Sequence, residues 1–392
     1  MTEHLRPAPG PLREWTGLTR CFTAQNGTTA LAVALRALVD GLAVNLAAIG
    51  CWTVTSAVRQ AALTPHYLDV GDDLLPAVVP NGPAVVVAPW GAALRPLRPV
   101  SPTSSSATVL DGSVSLFGDG AAALAPDALI VSLGPGKPGH VPGGGGLLLF
   151  DDDSVEREVV TALRHGTGDL RWLRDGLRVV PSTADPRRVD ERLAALAAGL
   201  DTHRHRAAEA LDRVVGATPH LVPSGAPDPD GGASTLLPVL LAPHVPLDAR
   251  DVARVALAHR LPLGFQPVTP PYMEEAGRGL TGDCPVAEGL AGRLLFVPAE
   301  PAVLARYSSA LHTLLEELVA APDDFRYPYT PSVSVDGAKV TDAPLPAVLT
   351  GPSVLLGRRL DRRFVAVDEL AARQWLVSDP VAASILQGAA LR

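Results

Sequence analysis

Lysine is nearly absent from this chain of 392 residues, which carries only Lys137 and Lys339 among its 33 lysine and arginine residues. Its 3 cysteines, at positions 21, 51 and 284, are too few and too widely spaced for a disulfide framework or a zinc motif. A formal net charge of -8, with no long basic run, argues against a nucleic-acid-binding surface. No apolar run reaches the roughly 18 to 20 residues of a membrane span. These absences exclude a disulfide-stapled, zinc-binding, nucleic-acid-binding or membrane-spanning protein.

The composition, with 47% hydrophobic and 19% charged residues, is that of a globular protein with more than one domain. The N-terminal segment lacks the basic and then apolar layout of a secretory signal. We therefore expect a cytoplasmic protein. Shifts in composition along the chain predict three parts, over residues 1–180, 181–324 and 325–392.

The first part alternates short apolar runs with helical patterns. AVNLAAI, PHYLDV, AVVVAPW, ATVLD, ALIVSL and GLLLFDD are typical of buried strands, and TTALAVALRALV and WTVTSAVRQAAL are typical of helices. This alternation predicts an α/β domain with a mostly parallel sheet covered by helices. Ligands of such sheets lie at the carboxyl ends of the strands, where we expect Asp111, Ser132 and the loop around Lys137.

The pattern changes after residue 180. A long polar helix is predicted over residues 187–215, followed by a smaller α+β domain with helices near 248–259 and 301–320. Residues 325–392 contain two strand candidates and a helical pattern that begins at DELAARQWL. This C-terminal extension is either a small appended domain or a structural extension of the fold.

Three local signals in the first part carry chemistry. Gly27, Thr28 and Thr29 precede a helix, where backbone amides and hydroxyls suit a phosphate, although threonine there is also an ordinary helix cap. Asp111 ends a buried strand, where a carboxylate holds a protonated ring nitrogen or simply caps the next turn. Lys137 lies in a glycine- and proline-rich loop, and a desolvated lysine attacks carbonyl groups in a way that arginine cannot.

The order of these three signals within one α/β domain is more informative than each signal alone. Pyridoxal 5'-phosphate (PLP) requires a site for its phosphate, an acid for its pyridinium nitrogen and an amine for its aldehyde. The order phosphate site, strand-end aspartate and loop lysine therefore predicts PLP as the cofactor.

The chain also resembles the DegT/StrS group of PLP-dependent enzymes, best known as sugar aminotransferases. AQNGTTALAVAL is similar to the NSGTAALHLAL of that family, VLDGSVSLFG to IEDAAQALG, and VSLGPGKPGHVPGGGGLLLF to FSFHATKNLTTGEGGALV. LTPHYLDVGDD and DCPVAEGLAGRLLFVPAEP resemble two further family segments, so the resemblance covers about residues 20 to 320. It implies the PLP-dependent transferase fold type I and a homodimer, since the family completes its cofactor site across a dimer interface.

Residue by residue, the resemblance implies Lys137 as the Schiff-base lysine and Asp111 as the partner of the pyridine nitrogen. Ser132 falls on the phosphate-binding serine of the family, and Trp52 lies near the aromatic residue that stacks on the cofactor ring. The remaining cofactor-binding residues that it implies are Gly27, Thr28 and Thr29.

The chain departs from the family pattern beside these residues. Val114 stands where the family has glutamine or histidine, and Pro138 stands where it has the asparagine that reaches the neighbouring subunit. Four consecutive glycines, 143–146, replace the family's GEGG segment. The minimal set of lysine, aspartate and phosphate site is kept, while groups expected on the substrate side are missing.

Three functional hypotheses follow. The leading one is a PLP-dependent aminotransferase of secondary metabolism, acting on a sugar, cyclitol or other small carbonyl compound with a small-molecule amino donor. The second is an enzyme of the same fold that uses PLP for elimination, cyclisation or another reaction, which the changes at Val114 and Pro138 favour. The third is a catalytically inactive relative that keeps the fold for binding or scaffolding.

Overall fold

The computed structural model of the protein describes residues 5–71, 74–77, 82–94, 107–163, 179–224, 230–259, 261, 263 and 284–322. The predicted C-terminal extension, 325–392, lies outside these residues. The described strands are β1 (Leu5–Pro7), β2 (Arg20–Ala24), β3 (Ala43–Ala47), β4 (Thr64–Leu68), β5 (Ala84–Val87), β6 (Thr108–Asp111), β7 (Ser115–Leu116), β8 (Ala128–Ser132), β9 (Gly146–Phe150), β10 (Leu221–Pro223), β11 (Ala233–Ser234), β12 (Leu236–Leu241) and β13 (Leu294–Pro298).

The largest element is an 8-stranded sheet in the order β1-β2-β9-β8-β6-β5-β3-β4. Strands β4, β3, β5, β6 and β8 run parallel to one another, while β9 runs antiparallel to both of its neighbours, β8 and β2. The predicted mostly parallel sheet is confirmed. Strands β2, β6 and β8 run in one direction, and β9 runs in the opposite direction. The carboxyl ends of β2, β6 and β8 and the amino end of β9 therefore lie at the same edge of the sheet.

The described helices are α1 (Gly10–Thr16), α2 (Gly27–Leu38), α3 (Trp52–Gln60), α4 (Ala121–Leu124), α5 (Asp153–Leu163), α6 (Pro186–Ala198), α7 (Leu200–Ala217), α8 (Ala249–Ala258), α9 (Pro285–Ala291) and α10 (Pro301–Ala320). The sequence of α2 consists largely of alanine, leucine and valine, and its residues from Thr29 to Leu35 are all buried. Such a helix is apolar on every side because it packs between the sheet and other helices. Among the described residues, no helix has the length and apolar character that crossing a membrane requires.

Separate apolar cores lie on the two faces of the large sheet. One face packs against α2, α3 and α5 around Phe22 and Phe150, and the other packs against α1 and α6 around Leu12 and Leu193. Helices on both faces explain why the strand sequences are continuously apolar rather than alternating. The polar side chains of the central strands β6 and β8 are therefore found at the ends of those strands.

The predicted helix over residues 187–215 is wrong in one respect, since the structure divides it into α6 and α7 at Gly199. Gly199 has φ of -96° and ψ of 9°, outside the helical range, and its amide nitrogen still donates to the Ala195 carbonyl. Glycine is the weakest helix former after proline because it loses the most backbone entropy. The polar pattern runs through both helices and therefore hides the break.

The C-terminal half of the described chain, from residue 200 onward, contains a 3-stranded sheet in the order β10-β12-β13. Helices α7, α8 and α10 cover it around a core of their own. Asp69, just after β4, joins the two halves because its carboxylate accepts hydrogen bonds from the amides of Val286 (3.1 Å) and Ala287 (2.9 Å) at the start of α9. The two sequence segments LTPHYLDVGDD and DCPVAEGLAGR are therefore in direct contact.

Candidate active site

The start of α2 forms a cradle of small groups at the shared edge of the sheet. A Cβ atom placed on Gly27 would lie 3.4 Å from the Ser132 Cβ and 3.5 Å from the Ser113 Oγ, so glycine keeps this space open. The Asn26 side chain caps the helix by accepting a hydrogen bond of 2.8 Å from the Thr29 amide. The first amides of a helix have no acceptor within the helix, so those of Gly27 and Thr28 remain available to an anion.

Thr28 and Thr29 differ in what they can offer. Thr28 is half-buried at the start of α2, whereas the Thr29 side chain is buried and its amide is already paired with Asn26. Of the three predicted phosphate-loop residues, Gly27 and Thr28 therefore lie at the open end of the helix and Thr29 belongs to its packed interior.

Glycines 143–146 lead from the Lys137 turn into β9, and two different structural features account for them. Gly143, Gly144 and Gly145 have φ angles of 92°, 60° and 121°, which residues with a Cβ atom rarely adopt. Gly146 has an ordinary φ, but a Cβ there would overlap the carbonyl carbon of Asn26 and the amide nitrogen of Gly27. The absence of a Cβ atom at Gly146 thus lets β9 lie against the phosphate cradle, and the positive φ angles account for glycine at the three preceding positions.

Asp111 is the last residue of β6 and is 6% exposed. Its Oδ1 accepts a hydrogen bond of 2.9 Å from the Ser113 amide. Burial raises the pKa of the Asp111 carboxyl, while hydrogen bonds from the Ser113 hydroxyl and amide and the positive charge of Lys137 act in the opposite direction. A buried carboxylate of this kind is stabilised by a cation placed beside it.

Lys137 lies in the turn that connects β8 to β9, five residues after Ser132, and is half-buried. Its amide donates to the Gly134 carbonyl (3.3 Å) and its carbonyl accepts from the His140 amide (3.1 Å). Its charge is near enough to affect the pKa of Asp111. The structure therefore brings Gly27, Asp111, Ser132 and Lys137 to one edge of the sheet.

Trp52 is the remaining predicted site residue. Its backbone begins α3, directly after the loop that follows β3, but its side chain lies outside what the structure describes. Its stacking role stays a prediction. In the described part of the chain, no three His, Cys, Asp or Glu side chains are placed to hold a metal ion.

Three residues at this edge were missed by the sequence analysis. Ser113 had a detectable signal, since serine two residues after a strand-end aspartate commonly closes an Asx turn. Arg192 and Thr235 had none: both side chains donate to backbone carbonyls of the Lys137 turn from more than 50 residues away. Such contacts carry no local sequence pattern.

Val114 lies in an apolar cluster together with Trp90 and Phe296, whose rings are 5.0 Å apart. A glutamine or histidine side chain at position 114 would need hydrogen-bond partners in this setting, and leaving them unmade is costly. The Trp90 Nε1 is itself buried and has no hydrogen-bond partner among the described residues. The valine at position 114 is therefore matched to the buried apolar cluster around it.

No protein-family model matches the chain. No curated protein sequence matches it either. Solved structures do match. A DegT/DnrJ/EryC1/StrS aminotransferase from Brucella abortus is 18% identical with a TM-score of 0.60, over 79% of this chain and 89% of that chain.

Two further solved structures are similar at comparable scores. A Streptococcus pneumoniae protein assigned as a sugar aminotransferase, in its PMP form, is 12% identical with a TM-score of 0.57, over 80% of this chain and 91% of that one. A GDP-4-keto-6-deoxymannose-3-dehydratase variant with bound GDP-perosamine is 11% identical with a TM-score of 0.58, over 80% and 94% of the two chains. The chain therefore has the type I fold of the PLP-dependent aminotransferases.

Proposed function

We propose that this chain is a divergent DegT/StrS-type, PLP-dependent aminotransferase of secondary metabolism. Its substrate would be a small carbonyl compound of the sugar or cyclitol class, with a small-molecule amino donor. The observation that carries the proposal is the meeting of three groups at one sheet edge: an anion cradle at Gly27 and Ser132, the buried carboxyl of Asp111, and the amine of Lys137. PLP carries the three matching groups, namely a phosphate, a ring nitrogen that takes a proton, and an aldehyde.

Each residue has a distinct task in this proposal. When bound, PLP supplies a conjugated ring that accepts electrons from the reacting substrate carbon. The amides of Gly27 and Thr28 bind the phosphate at the positive end of α2, with the Ser132 hydroxyl beside them. The Asp111 carboxylate keeps a proton on the ring nitrogen, and this cation offsets the burial that raises the pKa of Asp111 in the ligand-free chain. Lys137 Nζ is the amine that moves protons at the reacting carbons.

The second candidate function is a PLP-dependent reaction other than transamination. Valine at position 114, in its apolar surroundings, and proline at position 138 favour it, because both side chains replace polar side chains of the resembled family. One of the structures with this fold is a dehydratase. Substrate positioning, rather than the groups that hold the cofactor, would then decide the reaction.

The first experiment compares Lys137→Ala with Lys339→Ala as a matched control. The purified protein is mixed with PLP and reduced with borohydride, and the covalently attached cofactor is located by peptide mass. We expect attachment at Lys137 in the wild type and in Lys339→Ala, and none in Lys137→Ala. Loss of the general base should lower turnover by about 10²- to 10⁴-fold. Absence of attachment in the wild type contradicts both enzyme hypotheses and leaves the inactive relative.

The second experiment separates the two enzyme hypotheses. The PLP-loaded protein is mixed with glutamate or glutamine, and the aminated cofactor and the 2-oxo acid are measured. Formation of both in equal amounts supports transamination. A loaded protein that forms neither with a broad set of amino donors supports a different PLP-dependent reaction.

The division of the chain at about residues 180 and 324, its cytoplasmic location and its homodimeric state remain parts of the proposal. Sedimentation of the purified chain with and without PLP measures the oligomeric state. A monomer that still attaches PLP at Lys137 would contradict a cofactor site completed across a dimer.

A further inference from the structure

Two distant side chains hold the backbone on either side of Lys137. The Thr235 Oγ1 donates a hydrogen bond of 2.7 Å to the carbonyl of Gly136. The Arg192 guanidinium donates two, from Nε (3.0 Å) and Nη2 (2.8 Å), to the carbonyl of Pro138. The residues immediately before and after the lysine are therefore each fixed from outside the turn.

The turn is held internally mainly at its ends, where the Leu133 carbonyl accepts from the Val141 amide (3.3 Å) and lies 3.1 Å from the His140 Nδ1. At its centre the Lys137 amide donates over 3.3 Å to the Gly134 carbonyl, and Gly136 adopts a φ of 75°. A glycine at such a position restricts the backbone less than any other residue. Local sequence alone therefore leaves the direction of the Lys137 side chain weakly determined, and the two external contacts supply the missing restraint.

Thr235 belongs to a segment that also touches the chain after Asp111. The hydroxyl of the adjacent Ser234 lies 3.0 Å from the Val114 carbonyl and 2.7 Å from the Leu236 carbonyl, which share its one proton. Ser234 also pairs with Ser115 in the short antiparallel contact of β11 with β7. One segment of the C-terminal half thus contacts the chain on both sides of the site. It fixes the position of the Lys137 turn relative to the chain that follows Asp111.

Arg192 reaches the turn from the opposite direction, out of α6. The side chain is half-buried, and both of its hydrogen bonds go to the same carbonyl oxygen. A guanidinium is pre-organised for such paired donation because its donors are fixed in one plane. Lysine at this position would offer only one flexible charge.

We propose that Arg192 and Thr235 are positioning residues that clamp the Lys137 turn and direct its amine into the space between the phosphate cradle and Asp111. This inference rests on the proposed function, because it assigns the clamp a purpose in presenting the amine to PLP. It predicts that the reactivity of Lys137 depends on two side chains whose hydrogen bonds go to the backbone of the Lys137 turn.

The first test uses the ligand-free protein and needs no catalytic activity. Because the chain has only two lysines, an amine-acetylating reagent followed by peptide mass analysis measures Lys137 against Lys339 in the same sample. We expect the rate ratio of Lys137 to Lys339 to rise by about tenfold in Arg192→Ala and by about threefold in Thr235→Val, as the turn opens more often without its charge-assisted or neutral hydrogen bonds. Arg188→Ala, an exposed change one turn earlier on α6, should leave the ratio unchanged.

The second test measures the PLP concentration that gives half-maximal borohydride-fixed attachment at Lys137. We expect it to rise by about tenfold in Arg192→Ala and about threefold in Thr235→Val. Thr235→Ser keeps the hydroxyl and should behave as the wild type, and Arg192→Lys should fall between the wild type and Arg192→Ala. Because both residues hold one turn, the double variant should show less than the product of the two single effects.

The outcomes separate the clamp from the proposed function. If the wild type attaches no PLP, the proposed function fails, while the acetylation ratios still decide whether the two side chains hold the turn. If Arg192→Ala and Thr235→Val both match Arg188→Ala in acetylation and attachment, the clamp is overturned. Should Arg192→Ala fail to fold, as judged by thermal unfolding, Thr235→Val and Thr235→Ser decide the question alone.

Discussion

The two halves of the candidate site are held in place in different ways. Asp111 and Ser132 end the neighbouring strands β6 and β8, and Gly27 begins α2 shortly after β2, so the register of the sheet fixes where they meet. Lys137 instead lies in a glycine-rich turn whose carbonyls are held by Arg192 and Thr235 from the C-terminal half. The strand-end half is built by the sheet, and the lysine half is built by contacts with the rest of the fold.

This difference indicates which changes each half tolerates. The strand-end half depends on close backbone packing, so that added atoms there should disturb the whole sheet edge. The lysine half depends on a few polar contacts, so that their loss should change the reactivity of one amine more than the stability of the fold. Three variants of the strand-end half, in order of decreasing effect on the free energy of unfolding, test this contrast.

Gly146→Ala should have the largest effect. The added Cβ would overlap the backbone of Asn26 and Gly27, which cannot move without displacing α2 from β9. We expect the free energy of unfolding to fall by about 3 kcal/mol or more, as for severe overpacking. Urea unfolding measures it.

The matched control for this change is Gly216→Ala, at an exposed position of α7 with nothing within 4 Å of the new Cβ. It should stabilise the protein by about 0.5 to 1 kcal/mol. Equal effects at Gly146 and Gly216 would show that the sheet edge accommodates extra atoms and does not depend on close backbone packing.

Asn26→Ala should have an intermediate effect, because it removes the side-chain cap that pairs with the Thr29 amide. We expect a loss of about 1 kcal/mol in the free energy of unfolding. Asn26→Ser, which keeps a hydrogen-bond acceptor, should lose less. A wild-type urea midpoint in Asn26→Ala would mean that the cap contributes nothing to α2.

Asp111→Asn should change the free energy of unfolding least, and it should raise it rather than lower it. Because burial raises the pKa of Asp111 in the folded chain, the folded state binds more protons than the unfolded state between the two pKa values, and stability falls as pH rises through that window. Asparagine carries no charge, so the stability of the variant does not fall in this way as pH rises. The ligand-free variant should therefore unfold at a higher temperature than the wild type at neutral pH, with the difference closing below about pH 4.

Although Asp111→Asn should stabilise the ligand-free protein, it should weaken the binding of PLP. Removing a charged partner of the ring nitrogen should raise the PLP concentration for half-maximal attachment by about tenfold. A residue that lowers stability while serving binding is expected at a functional site. A variant that is less stable than the wild type and binds PLP equally well would remove Asp111 from the proposed site.

Part of this site is predictable from sequence because its signals are local. The apolar run before Asp111 predicts a buried strand, and the carboxyl ends of parallel strands meet at one edge, so Asp111 and Ser132 are expected together. The threonines before the apolar run of α2 indicate a helix start in the same way, although the structure begins the helix at Gly27 with Asn26 as its cap. The break at Gly199 was missed because the polar pattern continues through it.

Other parts follow only from the three-dimensional arrangement. No spacing in the sequence relates Arg192 or Thr235 to Lys137, because their contacts are made by side chains donating to backbone carbonyls, which every residue possesses. The sequence shows the four glycines only as a run, and the structure gives a steric reason for the glycine at position 146, where a Cβ atom would overlap Asn26 and Gly27.

The sequence by itself determined the α/β class, the mostly parallel sheet and the order of cradle, carboxyl and amine along the chain. Hydrophobic periodicity and strand-end polar residues encode these features locally. Only the tertiary structure decided how the Lys137 turn is held, why glycine is required at position 146, and that Val114 lies in a buried apolar cluster. Those features depend on contacts between residues far apart in the chain, whose meeting is set by the packing of the whole fold.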